Sequence, residues 1–401
     1  MSERTQVAII GAGPAGLLLG QLMHRRGIDA VILEARSREY VEARIRAGLL
    51  EQGTMEVLRD AGVGERMDRE GMVHGGIYLC FDHTLHHIPM RELTHGRTMM
   101  IYGQTEVVKD LITARTDTGL PLVFECEDVT VEGLDHDEPV IRYRHEGAER
   151  ELRCDIVAGC DGFHGVCRPT IPQDAISVWE REYPYAWLGI LADVAPSTDE
   201  LIYAYNDRGF ALHTMRSPTL SRLYLQVDPD DDIANWSDDR IWSELHERLA
   251  SEGWELQEGP VLDKAITPMR SFVAAPMRYR SLLLAGDAAH IVPPTGAKGL
   301  NLAVADVTVL ADALVAHFAD GSDTGLDEYS DRCLARVWRA QHFSWFMTTM
   351  LHVNPHDDAF GLELQRSQLR YVTTSTAAAT SLAENYVGLR LDQTAPAAVM
   401  S

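Results

Sequence analysis

Short apolar runs alternate with amphipathic segments at the start of the chain. Residues 6–10 (QVAII) form an apolar run rich in β-branched residues, a glycine-rich turn follows, and residues 17–27 carry apolar side chains at helical spacing. A second apolar run, residues 30–33, ends in Glu34. This order of strand, turn, helix and strand predicts a βαβ unit.

Later segments predict how the rest of the chain is arranged. Residues 152–159 and 281–285 are typical of further buried parallel strands, and each is followed by an acid beside glycine, Asp161 or Asp287. Residues 183–227 alternate apolar and polar positions between turn signals, which predicts an antiparallel sheet. Helical patterns continue from residue 327 to about 386.

The predicted fold class is therefore α/β, with a second domain inserted into the first. We expect a discontinuous, Rossmann-like dinucleotide-binding domain (1–72, 98–180 and 268–349), an antiparallel-sheet substrate domain (73–97 and 181–267), a C-terminal helical interface region (350–390) and a disordered tail (391–401).

Composition narrows the class of protein. The chain has 401 residues, of which 45% are hydrophobic and 24% charged, as in folded globular proteins. Its net charge of −24 would repel nucleic acid. Its 6 cysteines have neither Cys-x-x-Cys nor zinc-ligand spacing, and no long uninterrupted apolar run occurs. We expect free thiols, no metal, no membrane span and a cytoplasmic location.

The glycine-rich turn carries the first chemical signal. Gly11, Gly13 and Gly16 have the G-x-G-x-x-G spacing between strand and helix, and Glu34 lies where an acid would bind ribose hydroxyls. The glycines allow a tight turn, approach to a pyrophosphate and close helix packing. Alternatively, they are only turn glycines before an amphipathic helix, and this signal alone does not separate FAD from NAD.

Two further motifs favour FAD. Asp287 begins a loop that leads through Lys298 and Gly299 into a long apolar helix, and a lysine at a helix N-terminus would stabilise an anion such as reduced flavin. Asp161-Gly162, followed by Arg168, is the third motif. Considered without the other motifs, the segment that begins at Asp287 would be only an ordinary loop followed by a core helix.

The three motifs in this order resemble those of the FAD-dependent aromatic (group A) monooxygenases. The similarity runs from about Gln6 to Leu389 and includes the segments RIRAGLLEQG, YGQTE, GCDGFHG and AENYVGL. It implies non-covalent FAD, NADH and/or NADPH as co-substrate, and a homodimer. The implied reaction uses dioxygen, through a flavin hydroperoxide, to convert 4-hydroxybenzoate into 3,4-dihydroxybenzoate.

A candidate substrate site follows from strand geometry. Residues 208–227 predict two strands joined by a short turn, and residues two apart on a strand share a face. Thr214 and Arg216 would then face one way, as would Arg222 and Tyr224. A guanidinium flanked by hydroxyls suits a small carboxylate. Alternatively, these are exposed strand arginines in an acidic protein.

The resemblance implies a role for individual residues. Arg216 and Tyr224 would hold the substrate carboxylate, with Thr214 where the family usually has serine. Tyr203 and the Pro294 carbonyl would face the phenol, and Tyr386 and His74 would carry its proton to solvent. The implied cofactor-binding residues are Gly11, Gly13, Gly16, Glu34, Arg46, Gln104, Asp161, Arg222, Asp287, Lys298, Gly299 and Asn301. Those implied for NAD(P)H are Arg36, Arg38, Arg44, Arg46 and His164.

One departure from the family bears on the nicotinamide. NADPH-specific relatives place Arg-Gln after the acid that ends the second strand, whereas this chain has Ala35-Arg36, with Glu39 and Glu42 nearby. We expect NADH to serve at least comparably with NADPH, unless Arg36 or Arg38 compensates. Three other readings stay open: a hydroxylase for a different ring substrate, a flavin dehydrogenase, and a non-enzymatic carrier on the same fold.

Overall fold

The computed structural model describes residues 3–44, 48–136 and 138–388. Its strands are, in chain order, β1 (Glu3–Arg4), β2 (Val7–Ile10), β3 (Ala30–Leu33), β4 (Leu49–Glu51), β5 (Met72–His74), β6 (Ile77–Phe81), β7 (Thr84–Ile88), β8 (Met99–Ile101), β9 (Leu122–Val123), β10 (Glu127–Glu132), β11 (Val140–His145), β12 (Ala148–Arg153), β13 (Ile156–Gly159), β14 (Ser177–Ala192), β15 (Leu201–Ala204), β16 (Ala211–Ser217), β17 (Leu220–Val227), β18 (Val261–Ala275), β19 (Arg278–Tyr279), β20 (Leu282–Leu284) and β21 (His290–Ile291). Its helices are α1 (Pro14–Arg25), α2 (Arg38–Ala43), α3 (Gln52–Asp60), α4 (Glu65–Glu70), α5 (Met90–Leu93), α6 (Gln104–Asp117), α7 (Cys167–Thr170), α8 (Asp238–Arg248), α9 (Gly299–Asp320), α10 (Thr324–Asp327), α11 (Tyr329–Leu351), α12 (Ala359–Thr374) and α13 (Thr376–Val387).

The predicted βαβ unit is confirmed and forms the centre of a six-stranded sheet. The strand order is β19-β20-β13-β2-β3-β9, parallel except for the edge strand β19. Every residue of β2 is buried, because helices cover both faces of such a sheet. α1 and α9 pack against each other, and Pro14 occupies the first turn of α1, where its missing N–H costs nothing.

The strand predicted for residues 152–159 is in fact two strands of different sheets. β12 ends at Arg153 in a four-stranded sheet of order β1-β12-β11-β10, and β13 begins at Ile156 in the parallel sheet. The amide of Cys154 still bonds the Pro139 carbonyl, whereas that of Asp155 bonds the Gln6 carbonyl. Apolar side chains are buried in both sheets, so their presence at Leu152 and from Ile156 onward does not reveal where the chain exchanges one partner strand for another.

An eight-stranded sheet contains the antiparallel segment predicted for residues 183–227. Its order is β21-β18-β14-β17-β16-β15-β6-β7, and β6 joins it by pairing parallel with β15. β14 and β18 pair from Ser177 with Ala275 onward. The sheet therefore extends beyond the boundaries expected at residues 181 and 267.

The two faces of this sheet have different environments, because alternate strand residues point to opposite sides. Tyr203, Leu212 and Trp187 lie in a cluster that also contains residues of α11, α12 and α13. Ile202, Leu223 and their neighbours pack instead against α8. The first face is called the aromatic face below.

The predicted helices near the C-terminus are α11, α12 and α13, and they cover the aromatic face. One helix, Gly299–Asp320, is long and apolar enough to cross a membrane, but in this fold it packs against α1 in the core. All six cysteines are unpaired and buried, as expected. The described residues contain no group of His, Cys, Asp or Glu arranged to hold a metal ion, and the tail expected at residues 391–401 lies outside them.

Candidate active site

The three fingerprint glycines meet three different requirements. A side chain at Gly11, where φ is +104°, would overlap the carbonyl oxygen of Cys160, and one at Gly16 would overlap the carbonyl oxygen of Gly11. A Cβ at Gly13 would have no atom within 4 Å. Gly11 and Gly16 thus close the turn, while Gly13 leaves open space for a ligand to approach the backbone.

Glu34 stabilises this turn from the end of β3. Its Oε2 accepts from the Ala12 amide at 2.7 Å, and its Oε1 accepts from the Arg36 amide at 2.8 Å. Each carboxylate oxygen has a second lone pair. Glu34 can therefore still accept a hydrogen bond from a ribose hydroxyl.

Asp161 lies after β13 with half of its carboxylate unpaired. Its Oδ2 accepts from the Cys167 amide at 2.8 Å, whereas its buried Oδ1 has no hydrogen-bond partner in the described part of the chain. Burial raises the pKa of Asp161. Since an unpaired buried oxygen is costly, this atom is a strong candidate for a ligand contact.

Asp287 and the start of α9 offer further groups at the same end of the sheet. Asp287 follows β20 and is exposed among buried neighbours. The first backbone hydrogen bond of α9 runs from the Leu302 amide to the Lys298 carbonyl. The amides of residues 299–301 come before it and belong to the first turn of the helix. Amides in a first helical turn have no partner within the helix and suit an anion.

Lys298 has a different environment from the one expected. Its buried ammonium donates to Glu51 Oε1 at 2.6 Å and to the Tyr386 carbonyl at 2.9 Å, and Arg336 donates to Glu51 Oε2 at 2.9 Å. Burial raises the pKa of Glu51, but the charges of Lys298 and Arg336 outweigh it and lower that pKa below its usual value. The anion that Lys298 contacts here is a carboxylate of the protein.

Asn301 is also engaged within the protein. Its Oδ1 accepts from the Glu51 amide at 2.9 Å and from Thr54 Oγ1 at 2.7 Å. Its Nδ2 donates to the carbonyls of Leu49 and Ala297 at 3.0 and 2.9 Å. Both donors and both acceptor positions are used, so only the backbone amide of Asn301 remains for a cofactor.

Arg222 and Gln104 are two further residues implied for the cofactor. Arg222 Nη1 is buried without a hydrogen-bond partner among the described residues, and its distance of 3.9 Å from Asp263 is too long for one. Gln104 begins α6 directly after Gly103. Arg46, the remaining residue implied for the cofactor, lies outside the described residues.

The residues implied for NAD(P)H lie mainly around α2. Arg36 approaches the ring of Tyr40 at 5.4 Å, and Arg38 forms an exposed ion pair with Glu42 at 2.6 Å. The Arg44 carbonyl accepts from Thr105 Oγ1 at 3.0 Å. His164, far from α2 in sequence, is exposed beside Phe163.

The predicted hairpin is confirmed as β16 and β17, with one irregularity at Arg216. Thr214 pairs with Arg222 and Met215 with Ser221, but Ser217 pairs with Leu220, so Arg216 is the extra residue of a β-bulge. Bulges redirect a side chain. Spacing alone would have assigned Arg216 to the face of Thr214 and could not predict this bulge.

Two residues of the YGQTE segment form the seat of the Arg216 side chain. A Cβ at Gly103 would lie only 2.7 Å from Arg216 Cζ. Arg216 Nη2 donates to Thr105 Oγ1 at 3.1 Å. Burial lowers the pKa of Arg216, although a guanidinium stays charged in proteins. Gly103 thus leaves room for a cation that Thr105 orients.

Tyr203 and Tyr386 meet as the resemblance implied. Their hydroxyl oxygens are 2.5 Å apart and buried, and burial raises the pKa of both. The Pro294 carbonyl accepts from the Ala297 amide at 2.9 Å and retains a second lone pair. The structure therefore brings together the pair expected to receive the phenol proton.

His74 is buried, and neither ring nitrogen has a hydrogen-bond partner in the described part of the chain. Burial lowers its pKa, an effect that the nearby charge of Glu200 opposes. The ring is thus in its neutral form at pH 7. A neutral imidazole has one nitrogen that accepts a proton and another that donates one.

Comparison with known proteins decides the family. Residues 4–344 match the family described as FAD binding domain. The chain is 50% identical over 387 residues to a p-hydroxybenzoate hydroxylase of Acinetobacter baylyi, covering 96% of each chain. The chain belongs to the FAD-dependent aromatic hydroxylases. FAD is accordingly its cofactor, with NAD(P)H as co-substrate.

More distant relatives share the fold. The chain is 28% identical to a probable NADH-specific resorcinol 4-hydroxylase of Rhodococcus jostii, covering 82% of this chain and 62% of the relative. The crystal structure of p-nitrophenol 4-monooxygenase from Pseudomonas putida superposes with a TM-score of 0.83 at 20% identity, covering 97% of this chain and 100% of that one. At this sequence identity, the structural similarity shows only that the two proteins share a fold.

The described residues fit FAD. Asp161 Oδ1 and Arg222 Nη1 are buried polar atoms without partners, and Gly13 has open space above it. The sequence reasoning missed Glu51, Gly103 and Thr105. Two of these lie in YGQTE and one in RIRAGLLEQG, so the resemblance had marked their segments, but their roles depend on contacts with residues more than 100 positions away.

Proposed function

We propose that the chain hydroxylates 4-hydroxybenzoate at the carbon next to the phenol and releases 3,4-dihydroxybenzoate. The observation that carries the proposal is the hydrogen bond of 2.5 Å between the buried hydroxyls of Tyr203 and Tyr386. Tyr203 is on β15 and Arg216 is on the neighbouring strand β16, and we infer that one site offers a cation for a carboxylate and a hydroxyl pair for a phenol.

FAD, when bound and reduced by NAD(P)H, would activate dioxygen, from which one oxygen atom enters the ring. Asp161, Glu34, Asp287, Arg222 and the first amides of α9 would hold the cofactor. The protein contributes orientation and a site from which water is excluded.

Arg216 binds the substrate carboxylate. Gly103 and Thr105 fix its guanidinium, and the half-buried Tyr224 adds a hydroxyl from the adjacent strand. Thr214 is buried beside them and adds one methyl group relative to serine. The extra methyl reduces the room for ring substituents near the carboxylate.

Tyr203 receives a hydrogen bond from the substrate phenol and passes the proton toward Tyr386. Because burial raises the pKa of Tyr203, a lasting tyrosinate is unfavourable, and Tyr203 acts as a relay. His74, neutral and with both nitrogens unpaired, takes the proton onward to solvent.

The enzyme uses NADH as its co-substrate at least as readily as NADPH. Arg38, one of the two cations that could compensate for the missing arginine, is paired with Glu42, and the exposed Glu39 would repel a 2′-phosphate. Steady-state kinetics with both nucleotides at equal ionic strength test this. A preference for NADPH above about 30-fold in kcat/KM, roughly 2 kcal/mol, would contradict it.

We place the enzyme in the cytoplasm, in agreement with its six unpaired cysteines, and infer that it is a homodimer. Sedimentation of the FAD-bound protein tests the dimer, and a monomer at micromolar concentration would contradict it.

The main experiment measures oxygen uptake, NADH oxidation and 3,4-dihydroxybenzoate in one assay. One product molecule per NADH and per oxygen is expected. Tyr203→Phe should still bind substrate and oxidise NADH but release peroxide instead of product. Peroxide alone from the wild type would favour a different ring substrate, and nicotinamide-linked reduction without oxygen uptake would favour a dehydrogenase.

A further inference from the structure

A buried hydrogen bond connects the end of α11 to the aromatic face and has no part in the roles described so far. Trp187 Nε1 donates to His352 Nε2 at 2.6 Å. His352 Nδ1 lies 3.0 Å from the Thr348 carbonyl. Because a carbonyl can only accept, Nδ1 carries the proton and Nε2 is the acceptor. The two bonds select one neutral tautomer of His352.

The surroundings of this bond exclude water. His352 and Trp187 are 1% and 4% exposed. The imidazole stacks between Tyr185 and Phe210, with ring centroids 4.8 and 4.4 Å away. Burial lowers the pKa of His352 to about 3, so the ring stays neutral over the range in which enzymes work. An indole N–H that lost this acceptor would be left unsatisfied.

Trp187 transmits the position of His352 to the substrate side. Its indole lies 4.6 Å from the ring of Tyr224 and 5.3 Å from that of Phe210, measured between centroids. Gln226, the strand partner of Trp187, is itself bonded to both backbone groups of Val353, the residue after His352. The end of α11 therefore holds this part of the sheet at two adjacent points.

The same helix end reaches the loop that contains Pro294. Thr348, whose carbonyl binds His352, donates its hydroxyl to Thr295 Oγ1 at 2.9 Å. Both threonines are fully buried. Thr348 and His352 therefore connect two parts of the proposed substrate site. One is the loop of Pro294, whose carbonyl is expected to face the phenol, and the other is the Trp187 ring next to Tyr224.

We propose that His352 is a positioning residue for the aromatic substrate, because its bond to Trp187 holds the indole against Tyr224 and so fixes the hydroxyl that binds the substrate carboxylate. This inference rests on the proposed function. His352 touches neither substrate nor cofactor in this account and acts through Trp187.

The test compares His352→Phe and Trp187→Phe in the FAD-bound enzyme. The first keeps an aromatic ring in the stack but removes the acceptor, and the second removes the donor. Each should raise the Kd of 4-hydroxybenzoate about 10-fold and lower the fraction of NADH oxidation that yields product. Because both substitutions remove the same hydrogen bond, the double variant should be no worse than Trp187→Phe alone.

Two further variants separate positioning from general structural damage. His352→Gln retains an acceptor near the position of Nε2 and should recover most of the affinity and coupling. His213→Phe alters an equally buried histidine that bonds the Ser197 amide, and its strand partner Ile202 lies on the opposite face of the sheet. It should leave both quantities at wild-type values. Wild-type affinity and coupling in His352→Phe would overturn the proposal, as would equal losses in His213→Phe.

A spectroscopic readout keeps this test distinct from the proposed function. The indole ¹⁵N–H signal of Trp187, assigned by its loss in Trp187→Phe, should move in His352→Phe and return toward its wild-type position in His352→Gln. An unmoved signal would overturn the inference. A wild-type enzyme that fails to hydroxylate 4-hydroxybenzoate would overturn the proposed function, and the signal would still report whether His352 holds Trp187.

Discussion

Two groups of polar residues at the candidate site differ in whether their buried polar atoms have hydrogen-bond partners within the protein. Lys298, Glu51 and Asn301 find hydrogen-bond partners within the protein. Asp161 and Arg222 each keep a buried polar atom without one among the described residues. An unsatisfied buried group costs about 1–3 kcal/mol. We therefore propose that the first group supports the site and that the second contacts the bound cofactor.

The difference separates residues that the family resemblance had placed together. Lys298 and Asn301 were implied as cofactor-binding residues alongside Asp161 and Arg222. Lys298 bonds the Tyr386 carbonyl and Glu51, and we propose that it acts on the chemistry by holding Tyr386 in place.

The largest expected effect is on stability and follows from Glu51→Gln. The variant leaves Lys298 and Arg336 without their shared carboxylate, so the free energy of unfolding should fall by about 3–5 kcal/mol. Urea unfolding measures it. Glu42→Gln breaks the exposed pair with Arg38 and should cost less than about 1 kcal/mol. Equal losses in the two variants would refute the supporting role of Glu51.

Arg216→Ala should have the next largest effect, on substrate binding. Without its charged partner, 4-hydroxybenzoate should bind about 2 kcal/mol more weakly in this water-poor pocket. Titration of the FAD-bound enzyme gives the dissociation constant. Arg240→Ala, which removes an exposed arginine from α8, is the control. An unchanged constant in Arg216→Ala would assign the carboxylate to another residue, with Arg222 the nearest candidate.

Gly103→Ala should weaken substrate binding less than Arg216→Ala does. The new methyl group would lie 2.7 Å from Arg216 Cζ, so the guanidinium must move from its seat. The KM for 4-hydroxybenzoate should rise about 5-fold, roughly 1 kcal/mol. In the Arg216→Ala background the same substitution should have no further effect, and a full additional loss there would show that Gly103 acts on something else.

The smallest expected effect is the contribution of His290 to the way the free energy of unfolding depends on pH. Burial disfavours the charged ring, but Asp306, whose Oδ2 is 2.6 Å from His290 Nε2, outweighs it and raises the pKa of His290. A raised pKa stabilises the folded protein fully below about pH 6.5, which is the pKa of histidine in the unfolded chain. This stabilisation is lost as the pH rises through the pKa that His290 has in the folded protein.

The free energy of unfolding at several pH values checks this sign. Between pH 6 and pH 9 the wild type should lose more stability than His290→Gln. The Asp306 carboxylate also accepts from the Gly286 amide at 2.9 Å, so this pair supports the turn beside Asp287. A steeper loss in the variant would show that His290 is neutral in the folded protein.

Local patterns predicted most of the cofactor domain. Gly11, Gly13, Gly16 and Glu34 lie within 24 consecutive residues. The backbone of the turn and of the neighbouring chain requires glycine at Gly11 and Gly16, whereas Gly13 leaves open space. Apolar runs also located β2, β3, β13 and β20. They could not locate the exchange of sheets at residues 154 and 155, because both sheets bury apolar side chains.

The support of the site could not be predicted in this way. Glu51 and Lys298 are 247 residues apart, Trp187 and His352 are 165 apart, and Thr105 and Arg216 are 111 apart. No spacing rule connects such pairs. The resemblance to a family supplied Tyr203 and Tyr386, but it could not distinguish a lysine that faces the cofactor from one that holds its neighbours.

The most direct test measures unfolding of Asp161→Asn and Lys298→Met with and without FAD. In the wild type, FAD at 100 times its Kd should add about 2.7 kcal/mol. Asp161→Asn removes a buried charge, so its FAD-free form should be at least as stable as the wild type while most of the FAD-induced gain disappears. Lys298→Met should lose stability without FAD and keep the gain. The reverse pattern would contradict the account.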